Sequence, residues 1–98
     1  MSVERMKEAG ALAGSVCEEA LRLVYGDRED AYGHPAQDFA RIALVWQAVL
    51  QVPITAHQVG LCLAGMKLVR EAIKPRRDNR VDLAGYAETL ERLVSFNQ

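Results

Sequence analysis

Apolar positions recur at three- and four-residue spacing along most of the chain, and no stretch alternates in the manner of a β-strand. Four helical segments follow from this pattern. The first is expected over about Glu4 to Val24, with Met6, Ala9, Ala13, Val16, Cys17, Ala20, Leu21 and Val24 on one stripe and Glu8, Glu18, Glu19 and Arg22 off it. Tyr25-Gly26 is read as its end, since glycine tolerates the left-handed conformation that closes a helix. A polar loop, Asp27 to His34, then leads to Pro35, which suits a first helical position because its missing N–H costs nothing there.

The second helix is expected from Pro35 to about Gln51, with Phe39, Ile42, Ala43, Trp46, Val49 and Leu50 on its apolar face and Val52-Pro53 as its stop. The third has the clearest start: Thr55 and Gln58 fit a capping box, and Ile54 and Val59 fit the hydrophobic staple around it. Its apolar residues form two stripes, Val59, Cys62, Leu63, Met66, Val69 and Ile73 on one side, and Leu61, Ala64, Gly65, Leu68 and Ala72 on the other. A helix apolar on two faces sits centrally or between the core and a partner. Gly60 and Gly65 would let another helix approach closely. Pro75 breaks this helix, and the fourth runs from Asp78 or Asn79, read as its N-cap, to about Phe96, with Leu83, Tyr86, Ala87, Leu90, Leu93 and Val94 as its stripe. Short connections favour antiparallel neighbours, so the expected fold is an all-α compact bundle of about four helices forming a single domain over residues 1–98.

Composition adds two points. Half of the 98 residues are hydrophobic, rich for a thin core, and the surplus points to a homo-oligomer. The net charge of -1 gives no general drive toward nucleic acid or membrane surfaces. No apolar run approaches a membrane span and no secretory segment opens the chain, so a cytoplasmic location is expected. Cys17 and Cys62 fall at apolar helical positions without neighbouring ligand residues and are expected as small core residues.

Charge is unevenly placed. Lys67, Arg70, Lys74, Arg76, Arg77 and Arg80 are six of the twelve basic residues. Lys67 and Arg70 share a helical face, and the arginines beyond lead into the N-terminus of the fourth helix. Guanidinium forks, ammonium groups and unpaired helix-start N–H groups all suit phosphate. The same run also suits a solvated face that stabilises the C-terminal dipole of the third helix. Asp78 and Asp82, four residues apart, project the same way and suit Mg²⁺ that bridges phosphates; acids are equally favoured at a helix start. Arg28 is placed to reach a phosphate or to cap a carbonyl. Tyr32 offers a ring for base stacking or a plug for the core. No serine or cysteine stands in a defined relation to a histidine, which speaks against nucleophilic catalysis.

Taken together, Arg28, Tyr32-Gly33, Phe39, Ile42-Ala43, Trp46, Lys67, Arg70, Asp78, Val81-Asp82 and Gly85-Tyr86-Ala87 resemble a family of short phage and prophage proteins of unknown function, over about Leu21 to Glu88. The arrangement is also distantly similar to a nucleotide-modification-associated phage domain and, more remotely, to the MazG-like all-α nucleotide pyrophosphatases. The last resemblance implies Mg²⁺ held by paired carboxylates; of the two acidic pairs that family uses, only the spacing of Glu88 and Glu91 occurs here. What these resemblances imply is a nucleotide or phosphate ligand bound by Arg28, Tyr32, Lys67, Arg70 and Tyr86, with Mg²⁺ at Asp78 and Asp82. A non-enzymatic protein that binds a host factor is the alternative, and nucleic-acid binding through residues 67–80 the least favoured.

Overall fold

Residues 14–96 are described in the computed structural model of the chain. The expected helical turns between Glu4 and Ala13 lie outside them. Gly14, at φ 118°, precedes Ser15, whose hydroxyl accepts from the Glu18 N–H at 3.1 Å and starts α1, Val16–Arg22. The chain does not stop at Tyr25-Gly26 as expected. A π-helical turn, Leu23–Asp27, carries it on into α2, Arg28–Tyr32. Gly26 lacks the positive φ that closes a helix; Gly33, at φ 78° and ψ -165°, does the closing seven residues later. The segment expected as the loop Asp27 to His34 is therefore mostly helix. One extra residue in the π turn re-phases the rod by about 100°.

The other boundaries agree closely with the pattern. His34 caps α3, Pro35–Leu50, its Nδ1 accepting from the Ala36 N–H at 3.0 Å, with Pro35 in the first turn. Gln51 adopts the left-handed conformation at its end. Thr55 and Gln58 exchange the two hydrogen bonds of a capping box, 3.1 and 2.9 Å, at the start of α4, Ala56–Ile73. The last helix, α5, spans Arg77–Phe96, beginning slightly before Asp78. Asn79 is no exposed cap: it is buried, and its amide donates to Glu71 Oε1 and to the Lys74 carbonyl. With α1, the π turn and α2 counted as one rod, the fold is an all-α bundle of four helices, with no strand among the described residues.

The central element is α5, against which α1, the π turn, α3 and α4 all pack. The core joins Phe39, Ala43, Val59 and Leu93, with Ile42, Trp46, Leu63, Tyr86 and Leu90 around them. Gly60 permits the closest approach, since a Cβ there would lie 2.7 Å from Leu90 Cδ2. Gly65 has no such neighbour.

The outer stripe assignments on α4 change. Val69 and Ile73, on one of the two stripes that left a central or a partner-facing place open, are 60% and 81% exposed, and the second half of α4 meets α5 in part through charged groups. Lys67 and Glu71 face that helix; Arg80 bonds Glu71 at 2.7 Å. Cys17 and Cys62, expected in the core, are exposed; Cys62 follows Leu61 on the same outward side of α4. Val49 and Leu50 of α3 are exposed as well.

Candidate functional site

Where α2, the start of α3 and the middle of α5 meet, they leave a cleft. Its walls are Ala20, Leu23, Val24, Pro35, Phe39, Val81 and Gly85, and its polar groups come from Arg28, Glu29, Tyr32, Asp38, Asp82, Tyr86 and Thr89. The positions follow from local structure. The π turn sits immediately before Arg28, so Arg28, Glu29 and Tyr32 turn toward α5. Asp38 lies in the first turn of α3, fixed by the His34 cap. Asp82, Tyr86 and Thr89 recur at helical spacing along one face of α5.

Four of the residues singled out in the sequence therefore converge: Arg28, Tyr32, Asp82 and Tyr86. Lys67 joins them from α4, its Nζ 2.6 Å from Asp82 Oδ2, while Arg28 Nη2 lies 3.6 Å from Asp82 Oδ1. The Lys67 and Asp82 side chains are 12% and 18% exposed; Arg28 is half exposed at the mouth. Arg70 and Asp78 are exposed and do not line the cleft. Two further residues of the basic run hold segments of the chain together. Arg77 bonds Glu19 and the Gly14 carbonyl, and Arg80 bonds Glu71. Glu71 also accepts the Arg76 N–H at 2.8 Å, which is the chief reason its carboxyl is held below its ordinary pKa.

Beside the cleft stands a second polar group that the sequence reading missed. Glu29 takes the Arg92 guanidinium at 2.6 Å, Arg92 lies 4.4 Å over the Tyr25 ring, and the Tyr25 hydroxyl donates to Glu88 at 2.6 Å. That hydrogen bond raises the Tyr25 pKa. The signal was present as two four-residue pairs, Tyr25 with Glu29 and Glu88 with Arg92, but it is legible only once the helix is carried through Gly26. Asp38 and Thr89 were missed too, each having an ordinary helical explanation.

The cleft leaves about 50 Å³ for the centres of water molecules. It takes one ring system or one phosphate, and a larger ligand extends past Arg28 and Tyr32. As a Mg²⁺ site the donors do not fit. Both oxygens of Asp82 face cations, Asp78 lies outside the cleft, and no set of three or more His, Cys, Asp or Glu ligands gathers among the described residues. No helix among them is long and apolar enough to cross a membrane.

Comparison with known proteins places this architecture. The chain is 37% identical over 83 residues to the Gene 55 protein of Mycobacterium phage D29, covering 84% of this chain and 55% of that protein. It is 31% identical over 81 residues to the Gene 55 protein of Mycobacterium phage L5, covering 81% and 52%. The chain thus spans about half the length of these curated relatives. No solved structure matches it. The family model described as a domain of unknown function, DUF6378, matches residues 15–94, which include all of the cleft and all but the last two residues of α5, and the chain belongs to that family.

Proposed function

We propose that the cleft binds a phosphate-bearing ligand of nucleotide type, in a fold related to the all-α nucleotide pyrophosphatases. One observation carries the reading: Arg28 and Tyr32 of α2 reach a single cleft with Asp82 and Tyr86 of α5, and Lys67 of α4 holds Asp82 from a third side. In this reading Arg28, half exposed, is the phosphate ligand. Lys67 sets the position of Asp82 and contributes positive charge behind it. Tyr32 and Tyr86 border the ring. Any Mg²⁺ arrives on the ligand's phosphates and is held by them, since no set of three or more His, Cys, Asp or Glu ligands gathers among the described residues. Arg70 lies outside the cleft and contributes no contact.

Thermal unfolding against nucleoside mono- and triphosphates, with and without Mg²⁺, tests this. A ligand at 100 times its dissociation constant adds about 2.7 kcal/mol, a shift on the order of 10 °C for so small a domain. Arg28→Ala should remove the shift and Arg70→Ala should leave it. A flat panel at millimolar ligand overturns the proposal.

A second reading rests on a different surface. The α3–α4 hairpin exposes Leu44, Val45, Val49, Leu50, Val52, Leu61, Leu68, Val69 and Ile73, each at least 49% accessible. These side chains offer on the order of 800–1,000 Å² of apolar area, close to the ~800 Å² that each partner brings to a standard interface. The surface is aliphatic and lacks a charge pattern that would select a foreign partner, so a second copy of the chain is the occupant it fits. Sedimentation should give a dimer that Leu68→Glu dissociates; a monomer at high micromolar concentration rejects it.

A further inference from the structure

Three carboxylates line the cleft, and they are not equivalent. Asp82 is neutralised by Lys67 and Arg28, and Glu29 by Arg92. The Asp38 carboxylate makes no ion pair or hydrogen bond. Across the same cleft, the Thr89 side chain is buried, the residue being 7% exposed, and its hydroxyl is likewise without a partner. Both groups open onto the cleft, since the buried side-chain atom left without a partner among the described residues is Arg92 Nη1 and neither of these, so a ligand here would replace water on them. The recess of the cleft bounded by Val24, Phe39 and Val81 is apolar. Arg28 and Lys67 both meet Asp82, and Arg28 is half exposed.

We infer that the recess takes the base of the ligand, and that Asp38 selects a guanine-type edge. The inference rests on the nucleotide reading given above. An ionised carboxylate only accepts hydrogen bonds, through two oxygens side by side. A guanine ring presents two parallel donors on one edge, its lactam N–H and its amino group, and so fills both oxygens as a guanidinium does. Uracil and thymine present one N–H between two carbonyls, which would face the carboxylate with like partial charge. Hypoxanthine keeps the ring N–H but lacks the amino group. Thr89, with one donor and two acceptor positions, is available to a ring nitrogen or carbonyl of the same base. A site built around donors discriminates more sharply against a base that lacks one than an apolar pocket can.

Calorimetric titration of the full chain with GTP, ITP, UTP and tripolyphosphate tests this, repeated on Asp38→Asn. GTP should bind at least tenfold more tightly than ITP and more tightly still than UTP. Asp38→Asn should lose the GTP preference, retain tripolyphosphate binding, and gain affinity for xanthosine triphosphate, whose second carbonyl accepts from the new amide. That gain cannot come from a misfolded variant. Equal binding of GTP, ITP and UTP, unaltered by Asp38→Asn, overturns the base assignment while leaving nucleotide binding in place. Binding of tripolyphosphate with no further gain from any nucleoside overturns it as well. Absence of binding by all four ligands removes the nucleotide reading and this inference with it.

Discussion

Lys67 on α4 and Asp82 on α5 form an ion pair of 2.6 Å, with both side chains less than one-fifth exposed. The pair fastens the second half of α4 to α5. Its two ends are unequal. Removing Lys67 leaves Asp82 with Arg28 at 3.6 Å, whereas removing Asp82 leaves a nearly buried ammonium with no counter-ion. Loss of one partner from a fully buried pair costs about 3–5 kcal/mol. For this partly open pair, Asp82→Ala should cost about 2–3 kcal/mol and Lys67→Ala about 1–2 kcal/mol. Chemical denaturation of both variants checks the order; a larger loss in Lys67→Ala contradicts it.

Gly60 and Gly65 look alike in sequence and differ in space. A Cβ at Gly60 would press on Leu90 at 2.7 Å and approach Phe39 at 3.5 Å, while at Gly65 it would meet nothing within 4 Å. Gly60→Ala should destabilise by about 1–2 kcal/mol net of improved helix propensity. Gly65→Ala should stabilise by about 0.5–1 kcal/mol. Opposite shifts in Tm, read side by side, confirm the contrast, and shifts of one sign refute it.

The same comparison locates the end of the first rod. Gly33 holds φ 78° and ψ -165°, a region open essentially to glycine, and Gly33→Ala should cost about 1–3 kcal/mol. Gly26 is helical with open space at its Cβ, so Gly26→Ala should be neutral or stabilising. Were Gly26 the helix terminator, the two results would exchange.

Two groups set the pH limbs. Glu71 is depressed, chiefly by the Arg76 N–H, against desolvation as the next largest effect, with the Asn79 amide and Arg80 adding smaller lowering contributions. A depressed carboxyl contributes stability above its unfolded value, which is lost as pH falls through the folded one. The loss therefore begins below about pH 4.3, and Glu71→Gln should flatten that limb. Tyr25 is raised, chiefly by donating to Glu88 and then by desolvation. Its contribution is full below about pH 10 and disappears as pH rises through the higher folded value, so Tyr25→Phe should flatten the alkaline limb. Melting temperatures across both ranges test each variant against the parent chain.

The helical content, the capping box at Thr55, the start at Pro35 and the breaks at Pro53 and Pro75 were legible in the sequence, because all are set within one or two turns by local sterics and hydrogen bonds. The sequence also singled out Arg28, Tyr32, Lys67, Arg70, Asp78, Asp82 and Tyr86 as one group, of which Arg70 and Asp78 stand outside the cleft, and the spacing could not tell which of them come together. The local rules failed at Gly26. A glycine there permits termination without requiring it, and contacts made about sixty residues away, Tyr25 with Glu88 and Glu29 with Arg92, favour continuing the helix. They failed again on α4, where two apolar stripes compete and only the packing of α5 decides which one is buried. Lys67 and Glu71 settle it, because their partners Asp82 and Arg80 lie on α5 and draw that face inward, leaving Val69 and Ile73 outside. Which carboxylates in the cleft are neutralised and which one stays free is a property of the assembled bundle. It depends on cations from three different helices, and periodicity along a single helix holds no record of them.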